Sequence, residues 1–94
     1  MEQLICAANR LTSLPDSIGA LVKLRYLNLA ANRLTHVPLS LGRLVNLERL
    51  DLADNRIYSL PDTVWLLPKL RSVNLSGNPI AASGTIPRRW RTSR

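Results

Sequence analysis

The chain has 94 residues, which suits one domain, and its 46% hydrophobic content includes no phenylalanine, so its core must be almost wholly aliphatic. The formal net charge is +7, but four arginines in the last seven residues leave only +3 on the rest, which weakens any argument from overall basicity for nucleic-acid binding. A single cysteine excludes an intrachain disulfide, and the absence of a long apolar run or a standard signal peptide predicts a cytoplasmic protein with no membrane span.

Asparagines recur with a period of 23 residues, at Asn9, Asn32, Asn55 and Asn78. Apolar residues keep the same period at five and three residues before each asparagine and at two residues after it. A fixed period of this length predicts a solenoid, in which each repeat buries its apolar side chains against its neighbours. The repeats are 1–23, 24–46, 47–69 and a partial one, 70–80.

Each repeat has two halves with different periods. The first half, LxxLxL, alternates apolar and polar residues and predicts a strand. The asparagine that follows suits a turn, because its side-chain amide can bond backbone groups that the bend leaves unpaired. The second half spaces its apolar residues as on a helix face, for example at Leu14, Ile18 and Leu21. A proline, which suits a helix entrance, stands before each of these segments, at Pro15, Pro38 and Pro61.

The full pattern, LxxLxLxxNxLxxLPxxIGxLxx, resembles the leucine-rich repeat. Its LPxxIGxLxxL half resembles the 23-residue subclass of Ras-associated scaffolds, plant intracellular Ras-group proteins and bacterial repeat proteins. The resemblance covers residues 1 to about 80. It implies an α/β fold: a short right-handed solenoid arc, with a parallel concave sheet of about four strands and short helical returns on the convex side.

The pattern ends after Asn78, where Ser83 and Gly84 replace the expected leucine and proline. We therefore predict an irregular C-terminal cover and a basic tail over residues 81–94. Trp90 is in phase with the core residues Leu21, Leu44 and Leu67, so it either shields the last layer or belongs to the tail.

Outward residues of neighbouring strands should form columns across the sheet, because adjacent strands lie about 4.8 Å apart. These columns are the predicted partner-binding face: Gln3, Tyr26, Arg49 and Ser72 in one, and Ile5, Asn28, Asp51 and Asn74 in the next. Tyrosine and arginine often anchor interfaces, so Tyr26 beside Arg49 is the candidate hot spot. The alternative is a solvated pair with a mutual cation–π contact.

Charged columns border this face. Arg10, Arg33 and Arg56 form a basic stripe that could meet an acidic protein or a phosphate backbone, unless Asp51 and Asp54 temper it. A second column alternates in sign, which supports the strand register: Glu2, Arg25, Glu48 and Arg71.

Catalysis has little support in the residue inventory. The single histidine, His36, and the single cysteine, Cys6, do not fall on one side of one layer, and no spacing suggests a metal site or a cofactor. The sequence therefore predicts a non-catalytic module that binds another protein through its concave face.

Three other interpretations stay open. One alternative is a fragment or degenerate part of a longer repeat protein that targets an attached enzyme domain, such as a kinase or a ligase. The uncapped N-terminal strand predicts self-association through its edge. The Arg-rich tail predicts weak binding to nucleic acid or an acidic surface, although nucleic acid is the least favoured partner.

Overall fold

A computed structural model describes residues 2–80, 86, 87 and 90 of the chain. Its strands are β1 (Gln3–Ile5), β2 (Tyr26–Asn28), β3 (Arg49–Asp51) and β4 (Ser72–Asn74). Two 3₁₀ helices, Asp16–Ala20 and Leu39–Arg43, connect the first three strands, and a short α-helix, α1 (Asp62–Trp65), connects β3 to β4. The predicted alternation of strand and helical return is confirmed.

The four strands form one parallel sheet in the order β1-β2-β3-β4. Leu4 pairs with Leu27, Leu27 with Leu50, and Leu50 with Val73, so each partner lies one 23-residue period along the chain. The repeat length therefore sets the register directly. The open parallel sheet and its helical returns are those of the predicted solenoid.

The core lies between the sheet and the helical returns. In the second and third repeats the inward strand residues are almost fully buried, as Leu27, Leu29 and Leu52 show. The equivalent residues of the first repeat, Leu4 and Cys6, are only partly buried. Burial therefore depends on a covering layer on each side, as expected for stacked repeats.

The first two helical returns are wound more tightly than an α-helix. Ile18 N–H donates to Pro15 O at 3.1 Å and Leu21 N–H to Ile18 O at 3.2 Å, which are bonds between residues three apart. Pro15 is the N-cap and has an extended backbone, with a φ of −71° and a ψ of 151°. The proline therefore precedes the first helical residue. Short helical segments often adopt 3₁₀ geometry, as these two five-residue returns do, whereas the third return closes one α-helical turn.

Successive returns pack closely because two of them carry glycine. A Cβ on Gly19 would lie 2.6 Å from the carbonyl oxygen of Ser40, and one on Gly42 would lie 2.6 Å from Thr63 Oγ1. The third repeat has Trp65 at the equivalent position, and it is buried.

Trp65 packs against Trp90, with ring centroids 6.0 Å apart and ring planes inclined by 39°. Trp90 is itself buried, so it shields the last layer, the first of the two interpretations of this residue. The rest of the predicted cover and tail, including Ser83 and Gly84, lies outside the described residues except for Ile86 and Pro87.

Candidate functional site

The outward face of the sheet carries the eight residues predicted to bind a partner. Gln3 pairs with Tyr26, Tyr26 with Arg49 and Arg49 with Ser72, which makes the first predicted column continuous. The second column is likewise in register through Ile5, Asn28, Asp51 and Asn74. We call the surface formed by these eight side chains the concave face.

Tyr26 and Arg49 form a stacked pair at the middle of the concave face. The guanidinium carbon of Arg49 lies 4.9 Å from the centre of the Tyr26 ring, a cation–π distance. Asn28 Nδ2 donates a hydrogen bond to the Tyr26 hydroxyl at 3.1 Å, which holds the other end of the ring. The ring is thus oriented before any partner arrives.

A shallow hollow lies on each side of this pair. One, of about 300 Å³, is lined by Glu2, Gln3, Arg25, Tyr26, Glu48 and Arg49. The other, of about 170 Å³, is lined by Tyr26, Arg49, Leu50, Asp51, Ser72 and Asn74. Tyr26 and Arg49 border both hollows and form a ridge between them, and the other lining side chains are mostly polar or charged.

The second column also has a structural task that sequence reasoning missed. The side-chain oxygens of Asn28, Asp51 and Asn74 accept hydrogen bonds from the backbone N–H two residues on, at 3.0, 3.1 and 3.1 Å. These Asx turns lead the chain out of β2, β3 and β4. The sequence did contain a signal for these turns, because the second outward residue of the strand is Asn or Asp in repeats two to four. The Oδ1 atom of each of these three side chains therefore already accepts a hydrogen bond within the protein.

Three of the four predicted structural asparagines join neighbouring repeats. Asn55 Nδ2 donates to Leu52 O in its own repeat and to Leu29 O in the preceding one, each at 3.0 Å, while its Oδ1 accepts from Leu34 N–H at 3.0 Å. Asn32 and Asn78 repeat this arrangement, and all three are buried. We call these three residues the asparagine ladder. Asn9 is exposed, and its side chain makes none of the hydrogen bonds found in the described residues.

The column of alternating charges is a continuous ladder of ion pairs. Arg25 contacts Glu48 at 2.8 Å and Glu2 at 3.3 Å, and Arg71 contacts Glu48 at 3.6 Å. The hydrogen bond from Arg25 is the largest effect on Glu48, and together with the positive charges of Arg25, Arg71 and Lys69 it outweighs the opposing effect of desolvation and lowers the pKa of Glu48 from its ordinary value of 4.5. The same hydrogen bond raises the pKa of Arg25. These carboxylates and guanidiniums pair with one another across neighbouring repeats, and the pairs support the register of the strands.

The basic stripe runs along the other rim of the sheet, where the strands end. Arg10, Arg33 and Arg56 are all exposed. Arg33 N–H donates to Leu11 O and Arg56 N–H to Leu34 O, each at 2.8 Å, so the backbones at the stripe are hydrogen-bonded neighbours. The ion pairs found in the described part of the chain include none of these three arginines.

The two candidate catalytic side chains have ordinary surroundings. Cys6 is partly buried against the core, and His36 is exposed, with its Nδ1 3.0 Å from the Thr35 hydroxyl. Within residues 2–80, 86–87 and 90, no group of three or more His, Cys, Asp or Glu side chains is placed to hold a metal ion. The same residues include no helix long and apolar enough to cross a bilayer.

Comparison with known proteins agrees with this architecture. A family profile described as leucine rich repeat matches residues 1–57 and 23–80, and a second leucine rich repeat profile matches residues 69–92. The second match extends past residue 80, the predicted end of the last repeat. No curated protein sequence matches the chain.

A leucine-rich repeat protein of Leptospira interrogans has a similar solved structure, with a TM-score of 0.81 and 35% sequence identity. The similarity covers 83% of this chain and 20% of the leptospiral chain, so this chain spans about a fifth of that protein's length. Repeat pattern, parallel sheet, asparagine ladder and family profiles all agree, and the chain belongs to the leucine-rich repeat family.

Proposed function

We propose that this chain is a non-catalytic interaction module that binds another protein through its concave face. Leucine-rich repeats generally mediate protein–protein interaction. The single observation that carries the proposal is the Tyr26–Arg49 ridge, an aromatic and an arginine stacked at 4.9 Å between two hollows.

Preorganisation supports the ridge as the anchor of an interface. The Asn28 side chain holds the Tyr26 hydroxyl, and the arginine covers the ring, so binding would order few additional torsions. Tyrosine and arginine are among the residues whose truncation most often costs an interface more than about 2 kcal/mol. Four strands span only about 15–20 Å, so we expect a small interface whose energy is concentrated at this ridge.

The test is partner capture by a double variant, Tyr26→Ala with Arg49→Ala. We expect partner recovered from a cell extract, identified by mass spectrometry, to fall at least ~10-fold, because the largest contact surfaces are removed. Circular dichroism and thermal unfolding would show that the solenoid is still folded.

The chain offers a matched control. Tyr58→Ala with Arg43→Ala removes the same two residue types from exposed positions outside the concave face. This control should capture partners as well as the unchanged chain does. Equal capture by both double variants would refute binding at the concave face.

Several finer predictions rest on the sequence pattern alone. They are membership of the 23-residue LPxxIGxLxxL subclass, a cytoplasmic location, a scaffold role and the division into repeats 1–80 and a cover and tail 81–94. Attachment to an enzyme domain in a longer array, self-association through the β1 edge, and weak anion binding by the tail also stay predictions. Binding of another protein through the concave face is the function that the geometry supports best.

A further inference from the structure

The solenoid has two arginine-containing columns at opposite ends of its strands, and they differ in charge balance. On one rim, Arg25 and Arg71 are paired with Glu2 and Glu48, so that column is neutral. On the other rim the basic stripe has three arginines and no carboxylate at the same repeat position, where the fourth repeat has Pro79. Only the second column therefore retains a net charge, of +3.

The backbones of the stripe are rigidly held. Leu34 N–H, directly after Arg33, donates to the buried Asn55 Oδ1 at 3.0 Å, and Ile57 N–H, directly after Arg56, donates to the buried Asn78 Oδ1 at 3.0 Å. Leu11 N–H, after Arg10, donates to Asn32 Oδ1 at 2.9 Å. The asparagine ladder thus spaces the three arginines at the strand separation of about 4.8 Å, over a total of about 10 Å.

Nearby acids do not neutralise the stripe. Asp51 accepts a hydrogen bond from Ala53 N–H at 3.1 Å, and Asp54 lies exposed in the turn before Asn55. Neither carboxylate forms an ion pair with Arg10, Arg33 or Arg56 among residues 2–80. Exposed hydroxyls of Thr12, Thr35 and Ser59 lie on the same segments and add hydrogen-bond donors to the rim.

We propose that the basic stripe binds an extended acidic segment of a partner protein, separately from the concave face. Side chains on one face of an extended peptide repeat about every 7 Å, so two such carboxylates fit within the stripe's length of about 10 Å. Arginine suits this partner because its planar guanidinium can donate two parallel hydrogen bonds to one carboxylate.

The aromatic residues favour a peptide over a single-stranded nucleic acid. Single strands bind where a basic groove is combined with aromatic side chains that stack on successive bases. Trp65 and Trp90 are buried against each other, and Tyr26 is covered by Arg49. Tyr58 is left as the exposed aromatic close to the stripe, and one ring cannot stack a series of bases.

The experiment measures binding of a fluorescein-labelled decaglutamate peptide by fluorescence anisotropy. The 94-residue chain is used with Arg88, Arg89, Arg91 and Arg94 each replaced by glutamine, so that the tail does not contribute. Measurements are made at about 25 mM salt, where the Debye length is about 20 Å.

In this background, Arg10→Gln with Arg33→Gln and Arg56→Gln should weaken peptide binding at least ~10-fold. The charge-matched control replaces three cations elsewhere, through Lys23→Gln, Arg43→Gln and Arg71→Gln, and should weaken binding less than ~3-fold. A thermal melt of each variant checks that it is folded.

Two results would overturn the inference. Equal losses in the stripe variant and its control would mean that net charge alone attracts the peptide. Tighter, stripe-dependent binding of a labelled ten-nucleotide single-stranded DNA would assign the surface to nucleic acid instead of an acidic peptide. Neither result would affect the concave-face proposal, which depends on Tyr26 and Arg49.

Discussion

The residue before each of the four repeat asparagines, Asn9, Asn32, Asn55 and Asn78, has an unusual backbone conformation. Ala8, Ala31, Asp54 and Gly77 all have positive φ, between 57° and 77°. For a residue with a Cβ this conformation costs about 1–2 kcal/mol, whereas glycine adopts it freely. The first three repeats therefore carry local strain at this turn, and the fourth relieves it with Gly77.

Ala31→Gly should consequently stabilise the protein. We expect the free energy of unfolding to rise by about 0.5–1 kcal/mol in a urea titration, because the relief of strain exceeds the added chain entropy of glycine. Ala30→Gly is the control, since Ala30 lies next to it without a positive φ, and it should lower stability. If Ala31→Gly were also destabilising, the left-handed turn would not be a source of strain.

Asn55→Ala should be strongly destabilising. It would leave the buried Leu34 N–H without its partner, at a cost of about 1–3 kcal/mol. The carbonyls of Leu29 and Leu52 would each lose one of two hydrogen bonds and keep those from Asn32 and Asn78. Asn9→Ala is the matched control, because Asn9 is exposed, and its cost should be below about 0.5 kcal/mol. Similar losses in both variants would argue that the asparagines act only as turn residues.

At the scale of the elements, strand pairing is reinforced by the ion-pair ladder along one rim. The pKa of Glu48 is lower in the folded chain than its ordinary value of 4.5, chiefly through the hydrogen bond from Arg25. Ionised Glu48 thus contributes stability above that pH, and the contribution disappears as the pH falls through the folded pKa. The arginines of these pairs are exposed and Glu48 is half-buried, so solvent screening keeps the effect modest.

Comparison of the unchanged chain with Glu48→Gln isolates this contribution. The unchanged chain should have the higher Tm at pH 7, and the difference should shrink toward zero as the pH is lowered below 4.5. About 1 M salt at pH 7 should also reduce the difference, because the Debye length falls to about 3 Å. A difference that does not change with pH or salt would mean that Glu48 acts by packing and not by charge.

The helical returns show how an element is shaped by its neighbour. Gly19 and Gly42 leave room for Ser40 and Thr63 of the following return. Trp65 takes this position in the third repeat, where it packs on Trp90. The third return is the last regular one, and there the large Trp65 side chain stands at the position where the earlier returns have glycine.

At the scale of the whole molecule, the two ends of the described solenoid differ in core coverage. Leu4, Leu14 and Leu21 in the first repeat are partly buried, whereas Val73, Leu75 and Ile80 in the last are buried. The Trp65–Trp90 pair contributes to the coverage of the last layer. In a solenoid each layer contacts only its neighbours, so we expect this cover to stabilise the C-terminal repeats most.

Trp90→Ala should lower the free energy of unfolding by about 3–5 kcal/mol, the usual cost of truncating a buried large aromatic residue. The emission of Trp65 should shift to longer wavelength, because its ring would meet water. Tyr58→Ala is the control, since Tyr58 is 67% exposed and its loss should change stability by less than about 0.5 kcal/mol. Unchanged stability in Trp90→Ala would show that the pair does not cover the core.

The resemblance to leucine-rich repeats implied the parallel sheet, and the 23-residue period of the sequence was enough to predict its strand register and the columns of the concave face. Equivalent positions in adjacent repeats are neighbours in any solenoid of this period, so periodicity alone specifies them. The binding roles of Tyr26, Arg49 and their column are not tested by this geometry, and they stay predictions.

Contacts between positions that are not equivalent were decided only by the tertiary structure. Trp65 and Trp90 are 25 residues apart, so the period does not pair them, and their contact depends on how the chain returns over the last layer. The Asx turns and the 3₁₀ geometry of the first two returns likewise reflect local backbone hydrogen bonding. A repeat sequence determines which residues share a column, while packing and hydrogen bonding determine what each residue contacts within its layer.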